Sequence, residues 1–264
     1  MSIKIDKNLC CGDKLCVNIC PCACIELTEN NKAVLSRKGR LTCISCGQCI
    51  AVCPKDAISL DNDGTIEKGV AITNPYPQFD DIAAMMKTRR SVRQYKDKII
   101  PQEEIEKALD VVRFAPTSKN KQYVKWVVVN GKEKVRKVAD LVIDYMRKTP
   151  AAKRMVASHD KGEDPIFRGA TCVIFAYCDK EIGERYGTVD CTIAATYLEL
   201  LLPSMGIGAC WAGFAIATAK EYPPINEFLG LKDTDTIEAG LMLGYQKIKY
   251  KNIPPRNKAD FKFI

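Results

Sequence analysis

Ten of the chain's 14 cysteines lie between Cys10 and Cys53. Four of them, Cys43, Cys46, Cys49 and Cys53, stand at C-x2-C-x2-C-x3-C spacing with Pro54 behind the last. Spacing this tight lets three thiolates of one loop grip a cubane of iron and sulfide, while the fourth, ahead of the proline, points to a neighbouring site. Zinc also takes four such ligands, but usually from two separated C-x2-C knuckles, so the spacing favours iron and sulfide. A first run, Cys10-Cys11-Gly12-Asp13-Lys14-Leu15-Cys16 continuing to Cys20-Pro21, follows the same template with Asp13 at the second ligand position. Cys22 and Cys24 fall outside the template and read as small apolar packing.

Together the two runs resemble two-cluster bacterial ferredoxins over residues 1–60, and the resemblance implies crossed ligation. Cys10, Cys16 and Cys53, with Asp13 or a substitute, would hold cluster I; Cys43, Cys46, Cys49 and Cys20 would hold cluster II. Three outcomes compete at position 13. A carboxylate is a harder ligand than thiolate, so Asp13 would complete a 4Fe-4S cluster that loses one iron easily. Cys11 would take its place if Gly12 lets the loop reverse. In the third outcome cluster I is 3Fe-4S, with Asp13 unligated.

A second group of residues lies downstream. Arg89-Arg90-Ser91-Val92-Arg93 follows a helical pattern, where guanidinium forks and a hydroxyl can bind a phosphate and a carbonyl-rich ring. By itself the stretch is weak evidence, because a solvated basic helix end would look the same. The next piece is Ala115-Pro116-Thr117-Ser118-Lys119-Asn120-Lys121-Gln122. Further on come Gly206-Ile207-Gly208-Ala209-Cys210-Trp211-Ala212-Gly213, Gly244-Tyr245-Gln246 and Arg256.

In this order the pieces resemble the nitroreductase family over roughly residues 80–258, and the resemblance implies bound FMN. Arg89, Ser91 and Arg256 would then serve the phosphate and ribityl end, with Arg90 also counted among the cofactor-binding residues. Arg93 would lie near the pyrimidine end of the ring, where a cation stabilises the charge of reduced flavin. Ala212 and Gly213 would approach the ring through backbone. Pro116, Thr117, Ser118 and Asn120 would reach the flavin of the other subunit, which implies a homodimer. No side chain is assigned as catalytic, since the chemistry is borne by the flavin. His159, the single histidine, lies in a polar stretch and reads as solvated, which argues against a Ser-His-Asp mechanism. A Rossmann G-x-G-x-x-G is absent.

The elements that must carry these residues form an α+β arrangement: a small two-cluster ferredoxin-like domain followed by a nitroreductase-like α+β domain. Apolar runs at Ile3–Ile5 and Ala57–Leu60 can pair as strands beside the cysteines. Turn formers from Asp61 to Gln78, including Asp-Asn-Asp-Gly and Asn-Pro-Tyr-Pro, mark the junction. The expected domains are residues 1–68 and 80–264, with a linker at 69–79. Helical spacing then predicts Asp80–Thr88, Pro101–Phe114, Lys132–Met146 and a buried Val189–Leu202. Strands are expected at Trp126–Val129, Thr171–Tyr177 and Ile237–Leu243.

Length and composition are those of an ordinary globular chain: 264 residues, 47% hydrophobic, 27% charged. The most apolar late segment, Thr188–Met205, is interrupted by Asp190, Glu199 and Pro203 and does not read as a membrane span. The opening residues, MSIKIDKNLC, hold no apolar stretch of signal-peptide length, so a cytoplasmic location with reduced thiols is expected. The formal charge of +8 has no clustered basic run behind it, which argues against nucleic acid as a partner.

The expected function is an iron-sulfur flavoprotein oxidoreductase. An external donor, ferredoxin or NAD(P)H, would supply electrons, and a small organic acceptor such as a nitroaromatic, quinone or activated alkene would receive them. The competing readings are an electron carrier relaying through FMN to another protein, and a redox sensor, which would need a partner-binding segment.

Overall fold

The computed structural model describes residues 2–74 and 76–264; Pro75, in the Asn-Pro-Tyr-Pro stretch, lies outside the described residues. The chain forms two compact units. One comprises Met1–Tyr76 together with Thr117–Lys121, the other Pro77–Pro116 and Gln122–Ile264.

The first unit is an internal repeat built around its cysteines. Strand β1 (Ser2–Ile5) leads to helix α1 (Leu15–Ile19) and the hairpin β2 (Ile25–Leu27) and β3 (Ala33–Leu35). A turn of helix α2 (Gly39–Thr42) follows, then α3 (Gln48–Val52) and the hairpin β4 (Ile58–Asn62) and β5 (Thr65–Glu67). As the paired apolar runs predict, β1 lies antiparallel to β4, with Ile3 opposite Leu60. The turn-rich stretch after Asp61 is in part a second hairpin, β4–β5, because Asp63-Gly64 makes a tight reversal with both residues at positive φ. Ile3, Ile25, Ala33, Ala57 and Ile58 form the buried centre with Cys10, Cys16, Cys24 and Cys49. A core this small and this rich in thiols needs a metal staple for independent stability.

The second unit is a four-stranded antiparallel sheet with helices on both faces. It runs α4 (Phe79–Thr88), α5 (Gln102–Val112), β6 (Lys125–Asn130), α6 (Lys132–Met146), α7 (Lys153–Asp160) and β7 (Cys172–Asp179). A short turn α8 (Lys180–Ile182) precedes α9 (Thr188–Leu201), β8 (Ile207–Trp211), α10 (Gly213–Glu221), α11 (Pro223–Phe228) and β9 (Asp235–Tyr245). Strand order is β6-β7-β9-β8. The central β7 reads as a continuous apolar run because each of its faces is covered. Val173 and Phe175 pack with Val135, Val138 and Val142 of α6, whereas Cys172 and Ile174 pack with Ala194 and Leu198 of α9. Sequence periodicity misses β8: its residues begin at the left-handed Gly206 and lie between glycines that look like a turn. Gly208 is required there, since a Cβ would stand 2.7 Å from side-chain atoms of Val92 and Gln246.

Glu238 on β9 ties three elements together, accepting from Lys220 Nζ at 2.7 Å, Thr188 Oγ1 at 2.7 Å and Thr236 Oγ1 at 3.0 Å. Burial disfavours its charge, but these donors outweigh burial and hold its carboxyl below the usual range. A depressed carboxyl stabilises the fold above the unfolded value of about 4.3, and that contribution is lost as pH falls through the lower folded value. Stability measured by circular dichroism should therefore decline on acidification below about pH 4.3. The Glu238→Gln variant should be less stable at neutral pH and show a shallower acid limb.

Candidate functional site

The cysteine runs fold into two loops of one shape. Positions 10, 13, 16 and 20 correspond without a gap to 43, 46, 49 and 53, and the backbones agree. Gly12 and Lys14 have φ of 74° and 66°, and their counterparts Ser45 and Gly47 have 50° and 73°. Each loop ends in a left-handed residue that starts a short helix, so that Cys16 and Cys49 lie buried one residue inside α1 and α3.

The loops line two separate cavities. Cys10, Cys11, Asp13, Cys16 and Cys53 surround one, beside Ile5, Ala33 and Ile58. Cys20, Cys43, Cys46 and Cys49 surround the other, with Cys22 and Cys24 beside them. Each run thus sends its last cysteine to the other run's cavity.

Both donor sets fit an iron-sulfur cluster. Backbone N–H groups point at the sulfurs: Ala33 donates to Cys10 at 3.3 Å, Cys24 to Cys20 at 3.2 Å, Ser45 to Cys43 at 3.4 Å and Ala57 to Cys53 at 3.4 Å. Such bonds stabilise thiolate ligands and tune a bound cluster. Although burial pushes the Cys20 thiol up, the N–H groups of Cys24 and Cys22 outweigh it and hold the thiol below the ordinary range. Burial followed by the charges of Cys10 and Asp13 pushes Cys16 up, and burial followed by Cys43 and Cys46 pushes Cys49 up to about 11. A positive centre among buried thiols that oppose one another's ionisation would favour their thiolate forms, and a bound iron-sulfur cluster would supply one. Among the described residues no three His, Cys, Asp or Glu side chains close on a point that would hold a single ion.

Asp13 occupies the position corresponding to Cys46. One of its carboxylate oxygens accepts from the Leu15 N–H at 3.1 Å and the other from Cys11 Sγ at 3.4 Å. Asp13 and Cys11 therefore stand side by side at the rim of the same cavity, and both are exposed.

In the second unit, a cavity of about 390 Å3 brings together Arg93, Ala212 and Gly213. Small-molecule sites span about 300–1,000 Å3. Its floor is the end of β8 and the start of α10, whose first N–H groups have no side-chain cap. A Cβ on Gly213 would meet no atom within 4 Å, so the approach to that backbone is open. Pro165, Phe167, Arg168 and Phe214 are among the other lining residues. Sequence spacing does not point to the first three, because they come from an irregular loop, whereas Phe214 lies in the first turn of α10. The carboxylate of Asp164 shapes that loop by accepting from the N–H groups of Phe167 and Gly169, each at 2.9 Å. Burial pushes the Cys210 thiol up, more than Arg93 and Ser91 pull it down, so it faces the cavity as a neutral thiol.

The other basic residues are placed differently. Ser91 pairs with Ala209 on β8, and the Val92 N–H donates to Ala209 O at 2.9 Å. Arg89 and Arg90 line a second, smaller cavity of about 50 Å3 with Glu199, Gly208, Gln246 and Tyr250. There Arg89 Nη1 meets the buried Glu199 Oε1 at 2.8 Å, and Trp211 Nε1 donates to Glu199 Oε2 at 3.2 Å. Arg256 is exposed in the extended tail that follows β9. Pro116 ends one segment of this unit, whereas Thr117, Ser118 and Asn120 belong to the cysteine-rich unit. His159 is not solvated: its side chain is 11% exposed, and Nε2 lies 2.8 Å from Asp140 Oδ1, joining α7 to α6. A polar neighbourhood in sequence hid this contact, because Asp140 comes from another helix.

A family profile described as "Nitroreductase family" matches residues 86–245, and one described as "4Fe-4S binding domain" matches residues 41–59. A Methanothermobacter thermautotrophicus protein, provisionally named NADH dehydrogenase/NAD(P)H nitroreductase, is 28% identical over 135 residues, 50% of this chain and 61% of that protein. A ferredoxin of Pyrobaculum islandicum is 37% identical over 65 residues, 25% of this chain and 58% of that protein. The chain thus spans less than two thirds of the length of either relative. A nitroreductase with bound FMN from Desulfitobacterium hafniense shares the fold at a TM-score of 0.59 and 20% identity, covering 70% of this chain and 99% of that one. With the sheet and its flanking helices as described, the chain belongs to the nitroreductase family and carries a 4Fe-4S ferredoxin-like motif ahead of the family domain.

Proposed function

We propose that the protein takes electrons from a low-potential donor through two iron-sulfur clusters to FMN and on to a small organic acceptor, a nitroaromatic, quinone or activated alkene. The observation that carries this reading is the sorting of the template positions into two crossed cavities, each with backbone N–H groups aimed at its sulfurs. Clusters carry electrons singly, and FMN accepts them singly and delivers them in pairs or as hydride.

The chain's own residues supply orientation and electrostatics. Cys20, Cys43, Cys46 and Cys49 hold one cluster; Cys10, Cys16, Cys53 and Asp13 hold the other, with Asp13 as the weakest ligand. Arg93 and the uncapped start of α10 set positive potential on the 390 Å3 cavity, which suits the pyrimidine end of the ring. Ala212 and Gly213 let the ring lie against backbone, while Phe167 and Phe214 exclude water beside it. Ser91, Arg90 and Arg256 serve the phosphate and ribityl end, and Arg89 lends charge there while paired with Glu199. Pro116, Thr117 and Ser118 serve the flavin of a second copy. A homodimer is favoured by apolar side chains left exposed at Val111, Phe114, Tyr250, Ile253, Phe261 and Phe263.

Anaerobically reconstituted protein is expected to hold one FMN per chain with acid-labile sulfide and iron for two clusters. Reduced ferredoxin or NAD(P)H, supplied separately, should drive turnover of a panel of nitroaromatics, quinones and alkenes. Full zinc occupancy without sulfide, or an absence of turnover with every donor, would overturn the reading.

A further inference from the structure

Thr117–Lys121 leaves the nitroreductase fold after Pro116, joins the compact unit of the cysteines and returns at Gln122. Asn120, left-handed at φ 53°, donates from Nδ2 to Ser45 O at 2.9 Å and to Ile44 O at 3.4 Å. Both acceptors lie in the loop between Cys43 and Cys46.

The first cysteine loop carries the same contact from a different source. Gly12 is the counterpart of Ser45, and Asn31, left-handed at φ 56°, donates from Nδ2 to Gly12 O at 3.3 Å. Residue type, backbone conformation and acceptor position all agree. Asn31 sits in the turn between β2 and β3 of the ferredoxin-like repeat itself. Continuing the gap-free correspondence, the residue in the β4–β5 turn that matches Asn31 is Gly64, which has no side chain; a Cβ built there would meet nothing within 4 Å. The second loop therefore lacks a clamp of its own, and the segment inserted from the nitroreductase fold provides one.

We propose that Asn120 is a positioning residue that clamps the cluster II loop, standing in for the missing counterpart of Asn31. The proposal rests on the reading that the clusters feed the flavin, and it deepens it. The stretch that the family resemblance assigns to flavin contact is thereby fastened to the loop that carries Cys43 and Cys46. The clamp also engages two carbonyl dipoles beside Cys43 and Cys46, and hydrogen bonds and local charge set a cluster's potential.

Asn120→Asp tests this in the full chain carrying clusters and FMN. Aspartate tolerates the left-handed backbone but presents an acceptor where a donor is needed. Two results are expected while FMN affinity is unchanged: the cluster II potential in a redox titration followed by electron paramagnetic resonance moves to a more negative value, and amides 44–47 exchange hydrogen roughly tenfold faster, as loss of such a bond allows. Asn120→Ala, which adds no charge, should give the faster exchange with a smaller potential shift. Asn31→Asp should shift cluster I and leave cluster II alone. Weaker FMN binding with an unchanged cluster II would overturn the proposal in favour of a flavin contact, and unchanged exchange and potential in both Asn120 variants would overturn it outright. Wild-type protein whose clusters are reduced while its flavin stays oxidised would instead defeat the function proposed above, leaving the potential and exchange readouts of the clamp standing.

Discussion

Cys53→Ser protein, purified without oxygen, is expected to lose the cluster of Cys10 and Cys16 and to keep the one held by its own loop. Cys53 lines the cavity of the first run, and Cys20 lines that of the second. Cys20→Ser should accordingly remove the cluster of Cys43, Cys46 and Cys49. Each variant should lose about half of the bound iron and sulfide, since serine is a poor fourth ligand for iron in such a cluster. Electron paramagnetic resonance identifies which signal remains, and the opposite assignment would mean that each run is self-contained. The same spectra decide position 13. Mild oxidation should produce a 3Fe signal in the native protein and in Cys11→Ser, and Asp13→Cys should suppress it. Cluster loss in Cys11→Ser with no effect of Asp13→Cys would move the ligand to Cys11, which lies 3.4 Å from the carboxylate.

Arg89→Ala is expected to cost the fold about 3 kcal/mol, because it leaves a buried carboxylate without its cation. Glu199 is 7% exposed and Arg89 23%, with 2.8 Å between their charged atoms. Breaking a buried pair costs about 3–5 kcal/mol, and the partial exposure of Arg89 argues for the lower figure. For a chain of this size the loss corresponds to roughly 6–12 °C in Tm. Adding Glu199→Gln should restore much of it, since the two losses share one interaction. The double variant also isolates any role of Arg89 toward phosphate. If the guanidinium holds the cofactor, FMN affinity stays reduced by about 1.5–3 kcal/mol after stability is recovered; if Arg89 serves only Glu199, affinity returns with stability.

Short-range chemistry of this protein is legible in its sequence. Three cysteines within one loop must converge, because a chain of that length can hardly separate them, and the proline after the fourth directs it away. The helix over residues 132–146 and the strand around residues 172–177 are equally local, written in apolar spacing that one face or two covered faces require. The match to the nitroreductase and ferredoxin patterns follows from such local stretches in order. What sequence could not show were contacts between residues distant in the chain. His159 looks solvated until Asp140 of another helix meets it, and Arg89 looks like a free cation until Glu199 neutralises it 110 residues away. The strand β8 hides behind glycines whose purpose is close packing against Val92 and Gln246. The exchange of Cys20 and Cys53 between cavities was already implied by the ferredoxin resemblance, whereas tertiary structure alone decided that Asn120 donates to the carbonyls of Ile44 and Ser45. Spacing constrains residues joined by a short chain, whereas these pairings form only when separate segments are packed against one another.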